Sequence, residues 1–448
     1  MSDQKPWWRA VLGLALLLLL AAWMALGPPW LTGGWSYGYG SVGTRDFIQY
    51  WAACRALRAG LNPYDGLVLH PIEEQAGQAP DTTIFMWNPP WTVLLMQPVL
   101  EPPFEISCLL WMGCNLALLG GIAWLVHRTL TVVDHPGEGG PPVVIALVAA
   151  FFFYPAMETI ALGQSSLIPA LGAAIFLRSV VANRLWGAGL GLVLLSIKPH
   201  LFLIVGVWLA FWVVRERKWS VPAAVAASLG VLATACWLLW PGSLADWAMS
   251  FRQQPSGPGA HSTAEWVTSS LVSWIRLGLL QVTGRAPLWP VVVIPLLGVV
   301  VTFACLARTR PRINWVDQIH PVLCLSVGLA PYGWPFDHSV LVIGQVILAH
   351  RALMPSMPRP RRAQIVFGLA TLLMVPIALE GPLAGHHLLV WYPWASLALW
   401  IWTRGGRVET RSAAAGLKDG STDAQGECDP GAEQGGRIAE PDVQPPQR

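Results

Sequence analysis

Long runs of apolar residues alternate with short polar segments along almost the whole chain, from Val11 to Trp402. A run of about 20 apolar residues is long enough to cross the hydrocarbon core of a membrane as a helix. The pattern therefore predicts an all-α polytopic membrane protein with about twelve transmembrane helices. The predicted spans are 10–27, 104–126, 142–157, 165–177, 186–198, 200–214, 219–240, 288–307, 318–332, 338–350, 364–380 and 387–403.

Some of these segments are too short to cross lipid unaided. The spans 165–177 and 186–198 would each form about 20 Å of helix against a hydrocarbon core of about 30 Å. Helices this short are expected to line a cavity walled by protein. The apolar stretch Pro90–Leu100 is shorter still, which indicates a re-entrant or interfacial segment. The run 10–27 continues into Trp30, which is typical of a retained signal anchor rather than a cleaved signal peptide.

Composition agrees with a membrane protein, because 54% of the residues are apolar and 12% are charged, against about 25% charged in ordinary soluble domains. Basic residues mark the cytoplasmic side of a membrane protein. Placing the arginine clusters inside leaves only seven of the 28 Lys and Arg residues outside. This orientation predicts cytoplasmic N- and C-termini. The seven cysteines form neither a disulfide framework nor a CxxC metal motif, and we expect no metal and no cofactor.

The same orientation divides the chain into regions. Residues 1–404 form the predicted membrane domain, with a long first outer loop over 28–103 and a second large outer loop over 241–287. Residues 405–448 contain almost no large apolar side chains, so a disordered cytoplasmic tail is expected there.

The first outer loop carries a predicted amphipathic helix that lies at the membrane surface. Phe47, Tyr50, Trp51 and Cys54 recur at helical spacing, and Gly60 is expected to end the helix. Asp46 starts this helix. Its carboxylate is either an N-cap that favours the helix dipole or a catalytic base held at the rim of the bilayer, and the two interpretations are compatible.

Other polar residues fall on the same outer face. Lys198 precedes Pro199 and His200 between two short helices, where it either reaches to the interface or meets a phosphate. The segment Pro331–His338 is either an aromatic-belt turn or a site whose Asp337–His338 pair acts as acid, base or phosphate partner. An active site is therefore expected to face outward.

Six segments together resemble glycosyltransferase family 87, the polyprenol-phosphate-mannose-dependent mannosyltransferases of the GT-C superfamily. The resemblance extends over about residues 10–403, although Ala330 stands where the family usually has Ser. The segments are Asp46–Trp51, Gly60–Asp65, Asn88–Pro90, Leu162–Gln164, Lys198–His200 and Pro331–His338.

The resemblance implies a GT-C-type fold and a membrane glycosyltransferase. Such an enzyme would move a sugar, mannose by family default, from a polyprenyl-phosphate donor to a glycolipid or polysaccharide acceptor. Asp46 would act as the base of an inverting displacement, and His338 or His200 would assist Lys198 at the phosphate. The enzyme would lie in a bacterial inner membrane. The substrate-binding residues implied are Arg45, Tyr50, Tyr64, Asn88, Gln164, Lys198, His200, Trp334 and Asp337.

Two other function classes fit parts of the sequence. An oligosaccharide ligase or polymerase would use an arginine-rich late outer loop, and 241–287 contains Arg252, Arg276 and Arg285. A flippase or transporter of lipid-linked sugars predicts polar residues at mid-bilayer and on both faces. In the assigned spans no acidic residue lies near the middle. Neither class includes nucleic acid as a partner.

Overall fold

A computed structural model of the chain describes residues 45–134, 141–252, 256–259, 268–309, 311, 313–354, 357–383 and 386–403. The chain divides into two units, 1–401 and 402–448, and the architecture below is that of the first unit. The predicted span 10–27 and the predicted disordered tail lie outside the described residues.

Every regular element in these described ranges is a helix. The α-helices are α1 Phe47–Arg58, α2 Gly66–Gln75, α3 Pro90–Leu100, α4 Phe104–Asp134, α5 Val143–Phe151, α6 Tyr154–Leu162, α7 Leu167–Val181, α8 Leu185–Leu195, α9 Leu203–Glu216, α10 Ser220–Leu239, α11 Ser243–Ser250, α12 Leu271–Thr283, α13 Trp289–Thr309, α14 Trp315–Gly328, α15 Val342–Ala352, α16 Arg359–Leu383 and α17 over 392–403. Short 3₁₀ helices cover Pro199–Phe202, Pro335–Leu341 and His386–Trp391.

Among the described residues, four helical segments are long and apolar enough to cross a membrane. They are α4, Pro199–Glu216, α10 and α13, and the pair α5–α6, bent by 62°, makes a fifth if it counts as one span. The all-helical membrane fold is thus confirmed, whereas the count of about twelve crossings is not. The other predicted spans within the described residues are helical but shorter, broken or less apolar.

The two helices predicted to be too short are indeed short. α7 has 15 residues and α8 has 11, which corresponds to about 22 and 16 Å. They pack closely, since a Cβ at Gly172 would clash with the carbonyl of Gly191, and one at Gly191 with that of Gly172. Small residues allow such close contact between membrane helices. α8 also packs against α10, and α7 against α4.

Helix α1 differs from its prediction. It ends as expected, because Gly60 adopts a φ of +69° and Leu61 N–H donates to the Ala56 carbonyl, a Schellman arrangement. However, every residue of α1 except Arg55 and Arg58 is buried. The predicted single apolar face is therefore wrong, whereas the position of α1 at the membrane surface stays a prediction. The side opposite its large side chains is mostly alanine, and small side chains let neighbouring helices pack there as well.

Two hydrophobic clusters hold the helices together. The larger cluster joins parts of α4, α5, α7–α9, α14 and α15, and the smaller one joins α1, α3 and the first turns of α4. Leu167 and Leu201 belong to the larger cluster, and Ile168 and Ile197 to the smaller one. The turns before α7 and after α8 are therefore fixed from both sides.

Helix α2, in the segment between α1 and α3, buries an acidic side chain. Its buried face is Gly66, Leu69 and Glu73, and the Glu73 Oε2 atom accepts from the Ile84 N–H at 2.9 Å. Burial raises the pKa of Glu73 to about 8. Because this pKa lies above that of an unfolded chain, about 4.3, the folded state binds more protons between these values. Stability should therefore fall as the pH rises from about 4 to about 8.

We predict that Glu73→Gln removes this loss of stability at high pH, because the glutamine side chain carries no charge and its amide oxygen still accepts the hydrogen bond from the Ile84 N–H. The melting temperature of the variant in detergent should exceed that of the wild type at about pH 9 and match or fall slightly below it at about pH 4. The control is Glu74→Gln, which changes a neighbouring exposed side chain whose carboxylate lies 3.5 Å from His70 Nε2. A partly exposed pair of this kind contributes at most about 1 kcal/mol, so this variant should keep most of the wild-type loss of stability between about pH 4 and pH 8. A pH-independent difference between Glu73→Gln and the wild type would contradict the assignment.

Candidate active site

Asp46 lies at the N-terminus of α1, directly against the α6–α7 turn. Its N–H donates to the Leu162 carbonyl at 2.8 Å. Although Asp46 occupies the N-cap position, its side chain makes no capping bond to α1. Instead, the Oδ2 atom accepts from Gln164 Nε2 at 2.9 Å, and Oδ1 lies 3.8 Å from Arg45 Nε. The carboxylate is thus directed away from its own helix, toward the cavity described below.

The α6–α7 turn brings three polar residues into a row. Gly163 ends α6 with a φ of +73°, and its carbonyl accepts from Trp111 Nε1 at 2.9 Å. Gln164, Ser165 and Ser166 follow before α7 begins. The Tyr50 hydroxyl donates to Gln164 Oε1 at 3.0 Å and lies 2.9 Å from Ser165 Oγ. Helix α1 and this turn therefore share a buried hydrogen-bond network.

Lys198 lies between α8 and the 3₁₀ turn at Pro199, and it is only 6% exposed. Its Nζ atom donates to Gln164 Oε1 at 3.2 Å, Ser166 Oγ at 2.8 Å and Asp337 Oδ1 at 2.6 Å. A lysine ammonium has three N–H donors, so these acceptors account for all of them. The interpretation of Lys198 as a side chain that reaches to the interface is therefore wrong.

Asp337 supplies the opposite charge. It is 2% exposed, and it accepts from Ser166 Oγ at 3.0 Å and from the Trp334 N–H at 3.0 Å, besides Lys198. Burial alone would raise the pKa of this carboxyl. The charges of Lys198 and His200 and the hydrogen bonds from Lys198 and Trp334 instead lower the pKa below its ordinary value. Asp337 is therefore an ionised partner of Lys198 at neutral pH.

His338 is separated from Asp337. It is 1% exposed and its ring lies 5.9 Å from that of Tyr392, away from the residues that line the cavity. Successive residues of a 3₁₀ turn point about 120° apart, so the two side chains face different surroundings. No hydrogen bond is seen between these two described side chains, although the charge of Asp337 still acts on the His338 ring.

These elements enclose a cavity of about 420 Å³. Most of the predicted site residues line it, and Tyr50 and Tyr64 lie behind its wall. The Tyr64 hydroxyl donates to the Asn88 carbonyl at 2.9 Å, and Asn88 Nδ2 donates to the Ile197 carbonyl at 3.0 Å. The predicted residues that line the cavity are Arg45, Asp46, Asn88, Gln164, Lys198, His200, Trp334 and Asp337.

The cavity wall is more aromatic than the sequence motifs indicated. Tyr332 stacks on His200 with ring centroids 4.0 Å apart, and Lys198 Nζ lies 4.8 Å from the Phe336 ring. Trp247 of α11 lines the cavity and donates to the Trp87 carbonyl at 3.2 Å. Sequence reasoning missed these residues and Ser166. A signal existed for Tyr332 and Phe336, which lie within the aromatic Pro331–His338 motif, whereas nothing in the pattern linked Trp247 to it.

The arginines of segment 241–287, which was predicted as a second outer loop, lie away from the cavity. In the described part of this segment, Trp247, Phe251 and Gly259 line the cavity, and Arg252, Arg276 and Arg285 do not. Arg276 Nε donates to the Pro287 carbonyl at 3.1 Å. The arginine-rich loop expected of a ligase or polymerase therefore does not contribute its charges to this cavity.

The buried ion pair predicts a large stability effect. Asp337→Asn would leave the Lys198 ammonium buried without its counter-charge, and the free energy of unfolding should fall by about 3–5 kcal/mol. The double variant Lys198→Met/Asp337→Asn should recover part of this loss. Thermal unfolding in detergent measures all three proteins.

The matched control is Glu101→Gln, which breaks an ion pair to Arg58 that is partly exposed. Pairs of this kind contribute at most about 1 kcal/mol. Equal losses for Glu101→Gln and Asp337→Asn would contradict the role given to the buried pair.

Comparison with known proteins identifies the chain. The model of glycosyltransferase family 87 matches residues 85–329, which is more than half of the chain. The match includes Gln164 and Lys198, begins after Asp46 and ends before Trp334. No curated protein and no solved structure matches the chain. With its membrane-spanning helices and a cavity lined by polar and aromatic side chains, this chain belongs to glycosyltransferase family 87 and is a glycosyltransferase.

Proposed function

We propose that this enzyme moves mannose from a polyprenyl-phosphate donor to a lipid-linked or glycan acceptor at the outer face of a bacterial cytoplasmic membrane. The observation that carries the proposal is the Asp46 carboxylate, which lines the cavity and does not cap its own helix. A base must be ionised, within reach of the substrate and fixed in direction. The hydrogen bond from Gln164 fixes the direction of the carboxylate, and this bond and the positive charge of Arg45 favour its ionised form. Its position in the cavity wall places it within reach of a substrate.

The proposed reaction is a single displacement. Asp46 takes the proton of an acceptor hydroxyl, whose oxygen forms a bond to the anomeric carbon of the donor. The bond between that carbon and the phosphate oxygen breaks, and polyprenyl phosphate leaves with the electron pair. Attack from the opposite side inverts the anomeric centre. A positioned base of this kind contributes about 10²- to 10⁴-fold to the rate.

The leaving phosphate needs compensating positive charge. The ammonium of Lys198 already makes three hydrogen bonds inside the wall. We therefore assign the direct phosphate contact to Arg45, whose side chain is 49% exposed beside Asp46. His200, which also lines the cavity, would help as a hydrogen-bond donor. His338 would act indirectly, by supporting the Pro335–Leu341 turn that carries Asp337.

The remaining predicted residues suit the organic part of the substrate. Aromatic rings such as Trp334 and Trp247 offer flat apolar faces to a sugar ring or an isoprenoid chain. Asn88 exposes polar atoms on the same wall, and Tyr64 fixes it from behind. In this proposal the polyprenyl chain would run along α3 and the short helices α7 and α8.

The base assignment predicts that Asp46→Asn lowers sugar transfer by about 10²- to 10⁴-fold. Membranes that contain the variant are incubated with radiolabelled polyprenyl-phosphate mannose, and label in extracted glycolipids and polysaccharide is counted. The protein should still fold, because asparagine is an equally good residue at a helix N-terminus.

The control is Asp65→Asn, the same substitution at another helix N-terminus of the first outer loop. Asp65 does cap its helix, accepting from the Leu67 N–H at 3.0 Å, and it does not line the cavity. Its substitution should change transfer less than about twofold. Wild-type transfer by Asp46→Asn would exclude Asp46 as the base, and movement of labelled lipid across vesicles without transfer would favour a flippase.

A further inference from the structure

Gln164 lies between Asp46 and the buried ion pair of Lys198 and Asp337. Its Oε1 atom accepts from the Tyr50 hydroxyl at 3.0 Å and from Lys198 Nζ at 3.2 Å. Its Nε2 atom donates to Asp46 Oδ2 at 2.9 Å. One amide group therefore joins helix α1, the α6–α7 turn and the segment after α8.

The orientation of this amide follows from the donors around it. An amide oxygen has two acceptor positions, whereas the amide nitrogen only donates. A lysine ammonium cannot accept a hydrogen bond, so it can meet only the oxygen of Gln164. The nitrogen is thereby turned toward Asp46, where it can donate to a carboxylate. Rotating the amide by 180° would bring two donors together at Lys198 and two acceptors together at Asp46.

Lys198 is itself fixed. Asp337 and Ser166 hold its ammonium at 2.6 and 2.8 Å, and the Trp334 N–H and Ser166 hydroxyl bond to Asp337 in turn. The direction of the Gln164 amide is therefore imposed by a buried ion pair that lies on the far side from Asp46.

We propose that Gln164 is a positioning residue that holds the Asp46 carboxylate ionised and directed into the cavity, with its own orientation set by Lys198 and Tyr50. This proposal deepens the function proposed above and rests on it. It gives Gln164 a role toward the base rather than toward the substrate. Lys198 likewise acts on the base through Gln164 rather than on the phosphate.

Other charged groups also act on Asp46. Arg45 lies 3.8 Å away on the same segment, and Glu158 of α6 and Tyr50 of α1 interact with it electrostatically. Lys198 and Asp337 lie beyond Gln164 and together carry no net charge. Because these groups are the same in all variants of Gln164, differences between the variants report on the amide.

The test is a direct titration of Asp46, which needs no substrate. Protein labelled with ¹³C at its aspartate carboxyls is titrated by infrared spectroscopy, and subtraction of the Asp46→Asn spectrum identifies the Asp46 band. In Gln164→Leu the loss of a hydrogen bond to the charged form should raise the midpoint by about one pH unit, a tenfold change in proton affinity. The acid limb of the pH profile of sugar transfer should move with it.

Gln164→Glu is the second variant, in case the leucine variant fails to fold. Its carboxylate still accepts from Tyr50 and Lys198, but it faces Asp46 with a second negative charge. The coupled pair should then titrate with one midpoint raised by about two units.

The matched control is Gln49→Leu. Gln49 also lines the cavity and also bonds to Asp46, but its Nε2 atom donates to the backbone carbonyl, at 2.9 Å. Its loss should leave the Asp46 midpoint within about 0.3 units of the wild type. The proposal is overturned if both Gln164 variants titrate like the wild type, or if Gln49→Leu shifts the midpoint as much as Gln164→Leu. An Asp46→Asn variant with normal transfer would instead overturn the proposed function and leave the titration result standing.

Discussion

The ion pair between Lys198 and Asp337 is the interaction on which the rest of the site depends. Both side chains are almost fully buried, and their 2.6 Å contact joins residues 139 positions apart in the chain. Burying two charges is unfavourable unless each finds further hydrogen bonds. Here Ser166 bonds to both members, Gln164 accepts from the lysine, and the Trp334 N–H donates to the carboxylate. The pair thus determines how the turns that begin α7 and follow α8 and α14 meet, and it leaves the Gln164 amide one orientation toward Asp46.

The sequence predicted the helices and residues of this site better than it predicted the contacts between them. The apolar runs located most of the helices predicted as spans, and the Gly60 signal located the end of α1, because these features depend on neighbours in the chain. Nothing in the sequence pattern indicated α2, α11 and α12. The burial of α1 on several sides was not predicted either, since its alanines carry no signal of what packs on them. Likewise, Lys198 at the end of an apolar run has the same local pattern whether it reaches to an interface or turns inward. Only the position of Asp337 in three dimensions decides between the two.

The adjacent residues Asp337 and His338 illustrate the same limit. Proximity in sequence suggested a joint acid–base pair, but a tight turn directs consecutive side chains apart. The carboxylate joins Lys198, and the imidazole packs near Tyr392. Asp46 and Gln164 are the reverse case, because 118 positions separate them in the chain and a 2.9 Å bond joins them. The family resemblance named both residues, yet it gave no reason for them to touch.

The short helices explain why such a network can exist in a membrane protein at all. A polar cluster exposed to hydrocarbon would be strongly unfavourable, and irregular backbone is tolerated only where protein or water surrounds it. α7 and α8 are too short for a full crossing, and Gln164, Ser166 and Lys198 at their ends are almost fully buried. The turn before α7 and the turn after α8 therefore carry Gln164, Ser166 and Lys198 inside protein rather than in lipid. Longer helices would satisfy the bilayer more simply, but they would remove the turns from which the site is built.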